Sequence, residues 1–154
     1  MFFGKNKKKE TKLELLSMDN IFLNCKPMEK EKVIRTIGQA LCDSGYVEED
    51  YIEGMLKREE SFATNIGNGI ALPHGVEAAK AKVKQSGIAV MTFPEGTDWN
   101  GEKVKLVIAV AGAGDEHLDI LMNIATNLST PEAVDKMVES DKQYIYDVFV
   151  NGNK

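Results

Sequence analysis

The feature that most constrains this chain is a pair of nearly uninterrupted apolar runs, Gly87–Phe93 and Val104–Ala111. A strand with one wet face alternates apolar and polar residues; a continuous run suits a strand covered on both faces. Each run is far shorter than the ~20 apolar residues a membrane span needs, so the cover has to be protein. Pro94-Glu95-Gly96 and Asn100-Gly101 lie between the runs and supply turn chemistry. They predict two antiparallel neighbours.

Helical periodicity on either side supplies the cover. Asn20-Ile21-Phe22-Leu23 reads as a short strand, and Pro27 suits the first turn of a helix. Val33, Ile34, Ile37, Ala40 and Leu41 then recur at helical spacing, with Gly45 placed for a left-handed cap. A second helix carries Tyr51, Ile52, Met55 and Leu56 on one face and Arg58 near its end. Ile66 and Ile70–Leu72 are strand-like around a Gly67-Asn68-Gly69 turn, and a short helix fits Glu77–Val83. Leu118, Leu121, Met122, Ile124, Ala125 and Leu128 form a broad apolar stripe after Asp115. Thr130-Pro131 is a cap followed by proline at the first helical position, and Asp141 opens a last helix burying Ile145, Val148 and Phe149. The expected fold is α/β: a single-domain mixed β-sheet sandwiched between helices, α/β/α.

A chain of 154 residues is one domain by size, able to bury roughly two-thirds of its unfolded surface. Its charge is uneven. Residues 1–12 hold five lysines and one glutamate, +4, so the net −5 leaves −9 for the remainder. A body of that sign excludes a nucleic-acid surface, which needs a basic patch. Residues 1–18 read as a basic flexible N-terminal segment and 19–150 as the folded domain. The apolar start Met1-Phe2-Phe3 precedes the lysines instead of following them, unlike a signal peptide. The alternative use of the tail is weak contact with an anionic membrane surface. Cys25 and Cys42 are too few for a disulfide scaffold and are expected to be buried free thiols in a cytoplasmic protein.

The two histidines carry the chemistry. His74 ends the run Ile70-Ala71-Leu72-Pro73 and precedes Gly75, an exposed-looking setting between a rigid and a free residue. Imidazole there can accept and release protons or phosphoryl groups near neutral pH. His117 follows Gly112-Ala113-Gly114-Asp115-Glu116; with Asp115 as N-cap it sits in the first turn of a helix, where free N–H groups favour an anion. The dipole disfavours imidazolium there, by up to ~2 kcal/mol in a partly buried setting. Arg58 offers a planar charged fork for phosphate oxygens or, alternatively, a cation closing its helix. Asn68 could donate its amide to a phosphate, but its place between glycines favours a turn role. Neither zinc-ligand spacing, a nucleophile elbow nor a nucleotide-binding glycine pattern is found. No metal or other cofactor is expected, and carrying a phosphoryl group suits these residues better than hydrolysing a small substrate.

These residues also resemble a known family, the enzyme IIA domains of the mannitol/fructose class in the bacterial phosphoenolpyruvate-dependent sugar phosphotransferase system. The likeness runs from Asn20 to about Phe149 and rests on Gly45-Tyr46-Val47, Met55–Glu59, Gly69–Gly75, Pro94-Glu95-Gly96 and Glu116–Leu121. Glu116–Leu121, Gly45-Tyr46-Val47 and an arginine sixteen residues before the histidine look most like the mannitol branch. The resemblance implies a phosphotransferase in which His74 takes phosphate from the carrier protein HPr and passes it to a cysteine of the cognate enzyme IIB, or IIBC, for mannitol uptake. It implies that His117 and Arg58 surround the phosphohistidine, and that membrane contact comes only through the transporter. The alternative within the class is a nitrogen-type or fructose-type regulatory protein that signals by phosphorylation state. There are three departures from some mannitol members: Asn68 stands for a glutamate, Val76 for a threonine, and Ala113-Gly114-Asp115 for a basic residue with asparagines. An apolar rim of Phe62, Ile66 and Val76 is expected around His74 for reversible docking.

Overall fold

The computed structural model describes residues 13–151. Its strands are β1 (Leu16–Phe22), β2 (Asn65–Gly67), β3 (Ile70–Ala71), β4 (Gly87–Trp99) and β5 (Glu102–Ala111). Its helices are α1 (Lys30–Asp43), α2 (Asp50–Ser61), α3 (Glu116–Asn127), α4 (Pro131–Glu139) and α5 (Lys142–Tyr146). A 3-10 segment covers Glu77–Lys82, and a π-helical turn, Asp147–Asn151, continues α5.

The two apolar runs form the centre of one five-stranded mixed sheet in the order β1-β4-β5-β3-β2. β4 and β5 pair antiparallel, from Gly87 opposite Ala111 to Trp99 opposite Glu102. β1 lies parallel to β4, β3 parallel to β5, and β2 antiparallel to β3. Successive residues of β4 and β5 enter different cores, because side chains alternate across a strand. Ala89, Met91, Phe93, Val107 and Ala109 pack with Val33, Ile37, Leu41, Tyr51 and Met55 of α1 and α2. Ile88, Val90, Leu106, Ile108 and Val110 pack with residues of the three C-terminal helices, among them Ile120, Ile124, Val134, Met137 and Ile145. Continuous apolarity is the sequence mark of that double burial, and the expected α/β/α sandwich is what forms.

The predicted caps are present. Gly45 takes φ +92° after α1, the Thr130 hydroxyl accepts from Ala133 N at 3.1 Å, and the Asp141 carboxylate accepts from Tyr144 N at 2.9 Å. Four expectations need adjustment. Pro94-Glu95-Gly96 is not a turn but a bulge inside β4, since the pairing slips between Thr92–Leu106 and Thr97–Val104 and then resumes; Asn100-Gly101 alone closes the hairpin. Pro27 lies ahead of α1, which opens at Lys30, because Met28 is drawn to β4 by its N–H and C=O bonds to the Thr97 hydroxyl. The thiols of Cys25 and Cys42 are free but half-buried. Strand β1 begins at Leu16, so residues 16–18 of the expected tail belong to the sheet; the lysine-rich residues 1–12 lie outside the described residues.

Candidate functional site

His74 stands where the chain leaves β3 and continues alongside β5. Its backbone faces Val110 in a parallel bridge, with Val110 N donating to the Pro73 carbonyl at 2.9 Å. Pro73 has no N–H to offer and so ends the regular ladder. The His74 imidazole turns back onto its own chain: Nδ1 lies 2.7 Å from the Leu72 carbonyl. A carbonyl can only accept, so Nδ1 carries the proton and Nε2 is left with a free lone pair.

The carbonyl that sets this tautomer is itself held in place. Leu72 N donates to the Thr64 carbonyl at 3.0 Å. Thr64 donates its N–H at 2.9 Å and its hydroxyl at 2.6 Å to the Glu59 carboxylate, which also accepts from Trp99 Nε1 at 2.9 Å. Glu59 is buried and has Lys30 Nζ at 3.8 Å. A buried carboxylate persists only when its oxygens are supplied with donors. Here the three donors tie the end of α2, the approach to β2 and the far end of β4 into one unit beneath the His74 loop.

His117 comes from the opposite side, in the first turn of α3 as predicted. Asp115 occupies the N-cap position without a side-chain cap bond; the Ser86 hydroxyl does the fastening instead, accepting from Ala113 N at 2.9 Å and donating to the Glu116 carboxylate. Gly112 lets α3 approach the sheet, since a Cβ at that position would lie 2.3 Å from the His117 Cα. The two imidazole rings end 5.2 Å apart, centre to centre, and inclined at 56°.

Both rings are held below the ordinary histidine pKa. Burial is the main cause for each. The Arg58 charge depresses His74 further, against the Leu72 hydrogen bond and Glu59, which raise it. His117 is depressed further by His74 and Lys80, against Glu77. Two neutral imidazoles at neutral pH follow, one with an available lone pair and one able to donate.

Arg58 lies in the last turn of α2. Its Nη1 donates to the Phe62 carbonyl at 3.0 Å and its guanidinium lies 5.6 Å from the Phe62 ring centre. Arg58 thus closes its helix, and its charge lowers the His74 pKa. Asn68 is not brought to the pair. It takes φ +56° in the β2–β3 turn and its amide donates to the Ser129 carbonyl at 3.3 Å. Ile70 and His74 face Leu106 and Val110, four residues of strand or about 13 Å apart, and Asn68 lies beyond Ile70.

The sequence reading missed four supports of the site. Tyr51, taken as one member of a core face, lies buried with its hydroxyl 2.9 Å from Gly75 N and 2.9 Å from the Val110 carbonyl. Burial pushes its pKa up to about 12, so it stays a donor. Ser86 gave no local signal, because its partners lie 27 and 30 residues away; Glu59 takes two donors from nearby Thr64, but its third, Trp99, lies 40 residues away. Gly112 did leave one, the glycine two before Gly114 at the end of a buried strand.

Of the three residues expected to rim His74, Phe62 is 73% exposed and Ile66 54%, while Val76 packs against the core. Leu118 and Met122 are 63% and 69% exposed, contrary to the expected burial of the α3 stripe. That stripe is wider than the sheet can cover; Ile120, Ile124 and Leu128 face inward, and Ala125 is also exposed.

This arrangement of a mixed sheet between helix layers is shared with solved enzyme IIA components of mannitol phosphotransferase systems. The chain matches the crystal structure of IIA mannitol from Escherichia coli with a TM-score of 0.79 and 31% identity, over 90% of this chain and 99% of that one. It matches the Escherichia coli IIA mannitol component solved in complex with phosphorylated IIB mannitol equally well, with a TM-score of 0.79, 30% identity and coverages of 88% and 98%. Residues 14–152 match the family model described as phosphoenolpyruvate-dependent sugar phosphotransferase system, EIIA 2, and the chain belongs to that family. Among its relatives, the mannitol-specific phosphotransferase enzyme IIA component of Staphylococcus aureus (strain Mu50) is 46% identical over 127 residues, covering 82% of this chain and 88% of that protein. The Bacillus subtilis (strain 168) component of the same description is 43% identical over 132 residues, 85% and 92% of the two chains. The chain is thus a phosphotransferase component of a sugar phosphotransferase system. No helix among the described residues is long and apolar enough to cross a membrane.

Proposed function

We propose that this protein is the phosphoryl carrier of a mannitol-type transporter, working in the cytoplasm: His74 takes phosphate from phospho-HPr and passes it to a cysteine of the cognate enzyme IIB. The observation that carries the reading is the free Nε2 of His74 beside a second neutral imidazole. Mannitol relatives at 43% to 46% identity, and the likeness to a IIA domain solved with phosphorylated IIB, support the sugar and the acceptor.

Phosphoryl transfer asks for alignment and charge balance more than for covalent chemistry. The Nε2 lone pair attacks the donor phosphorus in line; an N–P bond forms as the donor's own N–P bond breaks and its electron pair returns to the donor imidazole. The His74 ring gains positive character in this step, which the Leu72 carbonyl on Nδ1–H stabilises. The group brings a charge of about −2. His117 donates a ring N–H to one phosphoryl oxygen, and Arg58 supplies a charge that moves from the Phe62 carbonyl toward the group. In the onward step a cysteine thiolate attacks the same phosphorus, the S–P bond forms as the Nε2–P bond breaks, and the electron pair returns to His74, which recovers its neutral tautomer. Asn68 has no part in this scheme and closes the β2–β3 turn. Phe62, Ile66, Leu118 and Met122 offer the exposed apolar surface on which donor and acceptor alternate; an interface of modest area keeps both encounters reversible.

The test is phosphate incorporation from phosphoenolpyruvate through enzyme I and HPr, followed by transfer to candidate IIB domains. Wild-type protein is expected to label at one site and to discharge to a mannitol IIB. A His74→Ala variant that still takes up label removes His74 as the acceptor. Discharge only to a fructose IIB, or to none, replaces the mannitol reading with the regulatory one.

A further inference from the structure

In a parallel strand pair, a residue facing the partner is bracketed by two ladder bonds: partner N–H to the preceding carbonyl, and the following N–H to the partner carbonyl. Around His74 the first bond is direct, Val110 N to the Pro73 carbonyl at 2.9 Å. The second is relayed. Gly75 N donates to the Tyr51 hydroxyl at 2.9 Å, and that hydroxyl donates to the Val110 carbonyl at 2.9 Å. One residue of β5 thus anchors the backbone on both sides of His74, and on one side a phenol oxygen is interposed in the ladder.

From this we infer that Tyr51 is a positioning residue for His74: its hydroxyl props the strand open just past the histidine and so fixes where the imidazole stands relative to His117. The inference rests on the reading of His74 as the phosphoryl acceptor. Three further observations agree with it. The Tyr51 ring presses on the same backbone, since a Cβ at Gly75 would lie 2.7 Å from its Cε1 and 2.9 Å from its Cζ. Tyr51 is only 2% exposed, so no water competes for its hydroxyl. Arg58 follows on the same helix two turns later and on nearly the same face, so α2 places both the prop under the nucleophile and the charge beside it. In Tyr51→Phe, Gly75 N–H and the Val110 carbonyl either join directly, drawing the loop onto β5, or stand apart without partners. The first result moves His74, and the second removes the tether that holds it in place.

The experiment compares Tyr51→Phe with wild type in transfer from phospho-HPr and in the imidazole nitrogen NMR spectrum of the unphosphorylated protein. The expected result is a rate at saturating phospho-HPr lowered about tenfold to a hundredfold, an unchanged KM for HPr, and displaced His74 ring signals with loss of the fixed Nδ1–H form. A merely structural tyrosine would lower the melting temperature but leave the His74 tautomer alone. Gly75→Ala, which pushes on Tyr51 from the other side, is expected to give the same ring signature, and the double variant less than the sum of the two losses. This second variant carries the test if Tyr51→Phe does not fold. Wild-type rate together with wild-type His74 signals overturns the inference. If wild-type protein takes no phosphate from HPr, the functional reading fails, while the ring spectra still decide the role of Tyr51.

Discussion

The two histidines face each other across 5.2 Å and are held by opposite means. His74 belongs to a strand end tied on both flanks, its ring locked to the Leu72 carbonyl and the loop beneath it pinned by Glu59. His117 is placed through its backbone, by the close approach that Gly112 allows and the Ser86 fastening of the α3 entry; among the described residues no hydrogen bond fixes its ring. The difference teaches a division of labour. A nucleophile must present one lone pair along one line, so its tautomer and direction are set in advance. A group that balances arriving charge works better if it can turn toward it.

If the His74 side is the rigid one, the largest stability loss should come from its foundation. Glu59→Ala leaves the Thr64 N–H, Thr64 hydroxyl and Trp99 N–H without their acceptor, at a cost of about 3 kcal/mol. Urea unfolding measures it, and a loss under 1 kcal/mol would show that the loop stands without its carboxylate. His117→Gln is expected to slow transfer about a hundredfold, close to 2.7 kcal/mol of transition-state stabilisation, while the urea midpoint stays put. An equal loss of stability would make His117 a structural residue. Gly112→Ala forces a Cβ against the start of α3 at a cost of about 2 kcal/mol, and it should move the NMR signals of His117 more than those of His74. Leu118→Ser with Met122→Ser should change stability by less than about 0.5 kcal/mol and raise the KM for phospho-HPr several-fold; an unchanged KM would move docking off α3.

The smallest effect is on pH. Both folded pKa values lie below the unfolded value of about 6.5, so the unfolded chain binds protons first as pH falls. The stability held by the neutral pair is full above that pH and is lost as pH drops through the folded values. Unfolding midpoints between about pH 7 and pH 5 should therefore slope in wild type and flatten in a His74→Gln, His117→Gln double variant. An equal slope in both proteins would place the acid sensitivity elsewhere.

Local signals announced much of this molecule. The apolar runs of β4 and β5, the Thr130 and Asp141 caps, the Gly45 stop and the positions of His74 and His117 each depend on residues within a few places along the chain. Where the reading erred, a distant partner decided. Pro94-Glu95-Gly96 has the composition of a turn, yet β5 continues opposite it, so the pairing bulges and resumes. The α3 stripe has the composition of a buried face, but the sheet offers room for only part of it, and Leu118 and Met122 remain outside. Tyr51 and Glu59 looked like an ordinary core residue and an ordinary helix carboxylate because their partners lie 24 and 59 residues away for Tyr51, and 5 and 40 for Glu59.

By itself the sequence determined the alternation of elements, the double burial of the central strands and the residue types able to carry a phosphoryl group, since periodicity, capping and intrinsic chemistry are short-range properties. Only the tertiary structure decided that the two histidines meet, that Asn68 stays away from them, and that one phenol hydroxyl is interposed between His74's strand and its neighbour. Those outcomes depend on register and on the approach of segments far apart in the chain, which no local pattern encodes.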